Sequence, residues 1–123
     1  MAVRDYECDS QGIVNNAIYQ NYLEHARHEY LKSRGLDFAR LTASNINVMV
    51  IRAELDYKKS LRSGDAFVVS VLCQQESRLK IVFDQQITLQ NSDQLILQAR
   101  IFAAAVNQHG RPYFPEELKV LLL

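Results

Sequence analysis

The sequence predicts an α+β fold in which one long helix packs against a mostly antiparallel, five-stranded sheet. Three observations carry this. Apolar residues recur at helical spacing between Ile18 and Leu31, whereas across 79–89 they alternate with polar ones at a period of two. The extended runs in the second half of the chain are separated by short turn sequences with no room for crossover helices.

Taken in order, residues 2–7 read as a short first strand and 8–15 as a turn or loop around Gly12. A helix then runs from about Asn16 to Arg34, with Ile18, Tyr22, Leu23, Ala26, Tyr30 and Leu31 on one side and Gly35 in the usual stop position. Leu36 to Ser44 form a shorter helical or irregular piece. Four extended runs follow, at about 46–59, 66–76, 78–90 and 95–106. In the third, Leu79, Ile81, Phe83, Ile87 and Leu89 share one face, and Lys80, Asp84, Gln86, Thr88 and Gln90 the other, which describes a strand with one wet face. Ser63-Gly64-Asp65 and Asn91-Ser92-Asp93 supply turn chemistry, so neighbouring strands are expected to pair as a meander. Pro112 and Pro115 close the sheet, and Glu116 to Leu123 form a terminal helical turn or a last strand. One helix covers only part of such a sheet. A second copy is expected to cover the rest, with Val68, Ile96 and Val106 among the residues it would bury.

Composition narrows the function. At 123 residues the chain is a single domain, 1–123, without a linker. Lys plus Arg and Asp plus Glu both total 14, so the chain has no charge field to gather nucleic acid or anionic membrane. No apolar run spans a bilayer and no signal-peptide pattern is visible, so a cytoplasmic location is expected. Cys8 and Cys73 form no CxxC pair, in keeping with a reducing compartment. Beside Asp9, the Cys8 thiol should be a poor nucleophile, because a neighbouring carboxylate disfavours the thiolate.

The chemistry concentrates at the start of the helix. There an acidic residue, Asp9, precedes a glycine turn and the Asn15-Asn16 pair that opens the helix. First-turn amides have no partner inside the helix and sit at the positive end of its dipole, so they suit a polarised carbonyl oxygen. A carboxylate beside them would act as base or nucleophile. The same residues have plainer readings, Asp9 as a turn residue and Asn15 and Asn16 as caps. Tyr19 and Tyr22 line either a pocket or the core. Glu24 either reaches the site or pairs with His28 at i,i+4. His25 and His28 lack metal-ligand spacing, and no metal or other cofactor is expected.

The stretch Asp9-Ser10-Gln11-Gly12-Ile13-Val14-Asn15-Asn16-Ala17, followed by Tyr19-x-x-Tyr22-x-Glu24-x-Ala26-Arg27, resembles the hotdog-fold acyl-CoA thioesterases of the 4-hydroxybenzoyl-CoA thioesterase type. Ala53 to Tyr57, Leu61-Arg62-Ser63-Gly64-Asp65 and the alternation from Arg78 to Ile87 extend the likeness over nearly the whole chain. The resemblance implies a sheet wrapped around the helix, in homodimers or homotetramers with the active site at the subunit interface. It implies hydrolysis of an acyl-CoA thioester, Asp9 as the catalytic carboxylate and the Asn16 amide as the group polarising the carbonyl. Gly12, Val14, Asn15 and Tyr19 would line the substrate site, with Arg62 and Arg78 as charge partners for coenzyme A phosphates. Acyl carrier protein is a second partner of the same chemistry. Two positions depart from relatives: Ile13 stands where Asn-Asn members usually carry His after the glycine, and Asn16 stands where close relatives place a second catalytic group, a His. These departures keep open a module that binds acyl-CoA or acyl carrier protein without turnover; a dehydratase or hydratase on the same fold would need a His and carboxylate pair that the sequence does not present.

Overall fold

The computed structural model describes residues 1–122. Two helices, α1 (Asn16–Ser33) and α2 (Phe38–Ala43), precede four long strands, β1 (Asn47–Tyr57), β2 (Phe67–Gln75), β3 (Lys80–Leu89) and β4 (Leu95–Val106), and a short β5 (Pro112–Tyr113). A 3₁₀ helix over Glu116–Leu122 follows. Of the two forms expected for the C-terminus, helical turn or last strand, the helical one is found; Leu123 lies outside the described residues.

The start of α1 is set by Asn15, whose backbone is extended and whose side-chain oxygen accepts the Ala17 amide at 3.1 Å. Its end is set by Gly35, at φ +78°, where the Gly35 amide bonds to Lys32 O and the Leu36 amide to Leu31 O. Tyr19, Tyr22, Leu23 and Leu31 form the buried stripe between these caps. It packs against the face of the sheet built from alternate residues Phe67, Cys73, Ile81, Phe83, Ile87, Leu97, Ala99 and Ile101. Each fully buried Leu, Ile or Phe here contributes about 1.5–3 kcal/mol.

Two expectations about the sheet are corrected. Residues 2–7 are not a strand: Ala2 makes one bridge to Ala66, and Asp5–Glu7 turn as a 3₁₀ helix. The turn forms because the Glu7 side chain reaches back to accept the Arg4 amide at 2.9 Å. The fifth strand is instead β5, paired to β4 through Ala105↔Tyr113 and Val106↔Pro112.

The strand order is β1-β4-β3-β2, not a simple meander. Hairpins join β2 to β3 and β3 to β4, the latter through Asn91 at φ 61°, while β1 pairs with β4. Ser63-Gly64-Asp65 does turn the chain, with the Arg62 amide bonded to Asp65 Oδ2 at 2.8 Å, but it lies inside a connection that crosses from one sheet edge to the other. That crossing is held by burial. Leu61, 0% exposed, inserts under α1 and takes the connection past the helix start.

Part of the outer face of the sheet is satisfied within the chain, while Met49, Val68 and Leu72 stand exposed on it. Phe102 lies between the guanidinium groups of Arg52 and Arg100, at 5.6 and 5.2 Å, and Arg100 bonds to Asp84 at 3.1 Å. Ile96 is buried in its own core and Val106 is half-buried, so of the three residues expected to need a second copy only Val68 is exposed.

Candidate active site

The chain from Cys8 to Val14 closes on itself. Cys8 and Val14 form an antiparallel bridge, the Asp9 amide bonds to Ile13 O at 2.8 Å, and the Asn15 amide bonds to Glu7 O at 3.0 Å. Gly12 makes so short a return possible, because its φ of +78° is strained for any residue with a Cβ. Asp9 is exposed, and its Oδ1 accepts the Gln11 amide at 2.8 Å and the Ile13 amide at 3.4 Å. Among the described residues no group hydrogen-bonds to Oδ2. The loop thus pins one carboxylate oxygen and presents the other.

The helix start that follows has one amide to spare. Ala17 and Ile18 amides are taken by the Asn15 side chain and carbonyl, whereas the Asn16 amide makes no hydrogen bond among the described residues. Capping by Asn15 and an available amide at Asn16 therefore coexist.

The crossing connection is stitched to this corner. Val14 donates to Leu61 O at 2.9 Å, Ile13 bridges Arg62, and the Leu61 amide donates to the Tyr19 hydroxyl at 2.9 Å. Lys58 and Lys59 amides both bond to Ile96 O. Asn16, Tyr19, Tyr57, Lys58, Lys59 and Ser60 consequently line a cleft of about 110 Å³ at the helix start. It combines helix N-terminal polarity with two cations, a suitable setting for an anionic or carbonyl oxygen.

Most of the residues expected at a site meet here: Asp9, Gly12, Val14, Asn15, Asn16, Tyr19 and Arg62 belong to one corner of the molecule. Tyr19 and Val14 sit there as buried supports, 2% and 3% exposed. Arg78 does not join them within one chain. It follows the far end of β2, roughly 27 Å along the strand from the crossing connection. Tyr57 and Ser60 were not anticipated, because nothing in their local sequence marks them; they arrive through the crossing.

Burial raises the Tyr19 phenol above its ordinary range, and the Leu61 amide partly opposes this. Replacing Tyr19 by Phe leaves that buried amide without its acceptor, with an expected loss of about 1–3 kcal/mol measured by urea unfolding.

The thiols are unsuited to nucleophilic work. Burial pushes the Cys73 thiol up to about 11, and Cys8 is raised by desolvation and then by the charges of Asp5, Asp9 and Glu7. Native protein at neutral pH is expected to react with iodoacetamide more slowly than free cysteine at both positions.

Further along α1, Gln85 is fully buried. It donates to Leu23 O at 3.1 Å and accepts from the Arg27 guanidinium at 3.0 Å. Burial lowers the Arg27 pKa, with Glu24 partly opposing. A polar residue interrupting the apolar face Ile81, Phe83, Gln85, Ile87 was the sequence signal for this contact. Glu24 lies 3.7 Å from His28 in the i,i+4 arrangement, and the His28 ring packs at a tilt against Phe38, centroids 4.6 Å apart.

A sequence model described as the thioesterase-like superfamily matches residues 3–122. The chain belongs to this superfamily. Among superfamily relatives, a chloroplastic acyl-acyl carrier protein thioesterase of Arabidopsis thaliana is 37% identical over 112 residues, covering 91% of this chain and 59% of its own length. The chain therefore spans less than two thirds of that plant relative. A long-chain acyl-CoA thioesterase of Escherichia coli is 31% identical over 99 residues, covering 80% of this chain and 74% of the other. The fold matches the crystal structure of a 1,4-dihydroxy-2-naphthoyl-CoA thioesterase from Synechocystis with a TM-score of 0.93 at 18% identity, over 99% of this chain and 91% of that one. The superfamily assignment agrees with the resemblance seen in the sequence, and the architecture is the hotdog fold. No helix of the described residues is long and apolar enough to cross a membrane.

Proposed function

We propose that the protein hydrolyses the thioester of an acyl-CoA to the free acid and coenzyme A. The observation that supports this most directly is the paired availability of Asp9 Oδ2 in the closed loop and the Asn16 amide at the helix start that follows it. The Asn16 amide N–H donates to the thioester carbonyl oxygen as charge builds on it, a contribution on the order of 3 kcal/mol for one such donor. The Asp9 carboxylate either takes a proton from water as the water oxygen attacks the carbonyl carbon or attacks that carbon itself. In either route the carbon–sulfur bond breaks, the thiolate leaves and collects a proton, and one water is consumed. Arg62, Lys58 and Lys59 flank the corner and carry the charge needed to meet phosphates of coenzyme A. Acyl carrier protein, with the same thioester on a phosphopantetheine arm, is the second substrate form.

The working unit in this reading is a homodimer. Strand β1 is a sheet edge, its far side unpaired among the described strands, and it exposes Met49, Val50 and Ile51. A long apolar edge of this kind is a template for another strand, and a second copy satisfies it with two-fold symmetry. The other edge, β2, has its start covered by the N-terminal segment through Ala2↔Ala66. Sedimentation analysis is expected to show two chains or a multiple of two; a monomer at micromolar concentration would refute this.

The test of function is release of free thiol from short, long and aromatic acyl-CoA esters. Release from at least one ester is expected. Ester binding without release from any of them would favour the non-catalytic acyl-binding module, the reading that Ile13 suggests.

A further inference from the structure

A second cavity, of about 230 Å³, lies on the same seam between α1 and β1 as the cleft at the helix start. Gln20, Leu23, Glu24 and Arg27 line it from the helix, Val50 and Ala53 from β1, and Ile101 from β4. The helix residues continue the face that begins at Asn16 in steps of three or four. On the strand, Tyr57 and Ala53 share the helix-facing side, and a register shift between Val50 and Arg52 returns Val50 to that side. The bulge thereby sets Val50 beside Ala53 in the wall of this second cavity, with Arg27 at its helix side. Arg27 lies about 16 Å along the helix axis from Asn16, the reach of roughly 10–13 carbons in an extended chain. A single aromatic ring attached at the carbonyl ends near Gln20 and does not reach Arg27.

The floor of this cavity has a specific chemistry. Arg27 offers only donors, and one of its nitrogens is already held by Gln85, which is itself anchored to Leu23 O. Glu24, on the same wall, offers only acceptors. A methyl group satisfies neither. A second carboxylate would accept from Arg27 but meet the charge of Glu24. Of these three chain ends, only a hydroxyl both accepts from the guanidinium and donates to the carboxylate.

Resting on the thioesterase reading above, we propose that the seam between α1 and β1 holds the acyl chain and that Arg27 and Glu24 select a hydroxyl at its distal end. The substrate class is thus a medium-length aliphatic acyl thioester hydroxylated at or near its last carbon. Arg27 is the specificity-determining residue, and Gln85 the residue that positions it.

The experiment compares dodecanoyl-CoA with ω-hydroxydodecanoyl-CoA by thiol release and, independently of turnover, the two free acids by titration calorimetry. Wild-type protein is expected to favour the hydroxylated form on the order of tenfold in both measurements, the effect of about one net hydrogen bond to a charged group. Arg27→Met should bring the ratio towards one, and Arg27→Lys, which restores donors, should recover part of it. Because Arg27→Met leaves the buried Gln85 with an unmet oxygen, Glu24→Leu at the exposed wall provides a second variant that does not threaten folding and should also lower the ratio. Equal values for the two chains in wild type, or a preference that survives both Arg27→Met and Glu24→Leu, would overturn the proposal. A calorimetric preference without thiol release from either ester would retain this binding assignment and reject the hydrolytic one.

Discussion

Asp9→Asn is expected to lower kcat/KM for thioester hydrolysis by roughly 10³-fold or more while leaving the fold intact. General base or nucleophilic action by a single positioned side chain accounts for about 10²–10⁴ in rate, and Asn supplies neither. The substitution is nearly isosteric. Its side-chain oxygen can still accept from the Gln11 and Ile13 amides, the two contacts that fix the loop. Thermal unfolding should therefore change little, and an acyl-CoA should still bind. Thiol release measured beside the melting temperature separates the cases: a variant that keeps its rate would show that Asp9 is a turn residue only, and the catalytic assignment would fall.

The second large effect is expected from Leu61→Ala. Leu61 is fully buried at the point where the β1–β2 connection passes under α1, and its backbone both accepts from Val14 and donates to Tyr19. Truncating a buried Leu costs about 2–5 kcal/mol, depending on how far the site collapses. That is a large part of the roughly 5–15 kcal/mol that stabilises a domain. The consequence reaches function because Leu61 holds the segment carrying Lys58, Lys59, Ser60 and Arg62 against the helix start. Denaturant unfolding should show the loss, and below the unfolding transition KM for acyl-CoA should rise. A variant that loses stability with KM unchanged would show that the connection does not contribute to binding coenzyme A.

The local elements of this protein were readable because their causes are local. Gly35 could be placed at the end of α1 from the sequence because only a residue without a Cβ adopts its left-handed backbone cheaply. Ile81, Phe83 and Ile87 showed their common face because the pleat has a fixed period of two. The first strand was misread for an equally local reason: the short run from Ala2 to Glu7 reads as extended, but Glu7 closes back on the Arg4 amide and then accepts the Tyr22 hydroxyl at 2.8 Å, so the segment turns.

Asp9, Gly12, Asn15 and Asn16 lie within a single short stretch, so residue order alone was enough to bring carboxylate, turn and helix start together. The rest of the corner depended on partners distant in sequence. The turn residues at Ser63-Gly64-Asp65 suggest a hairpin, yet β1 pairs with β4 because burial of Leu61 beneath the helix takes the connection across the sheet. Only that crossing delivers Tyr57, Lys58, Lys59 and Ser60 to the helix start, and it separates Arg78 from them by the length of β2. The contact of Arg27 with Gln85 spans 58 positions. Chain order and backbone period thus determined the elements and the Asp9 to Asn16 motif, while strand order, the seam along α1 and the partner of Arg27 were decided by which apolar surfaces bury one another, a property no local stretch contains.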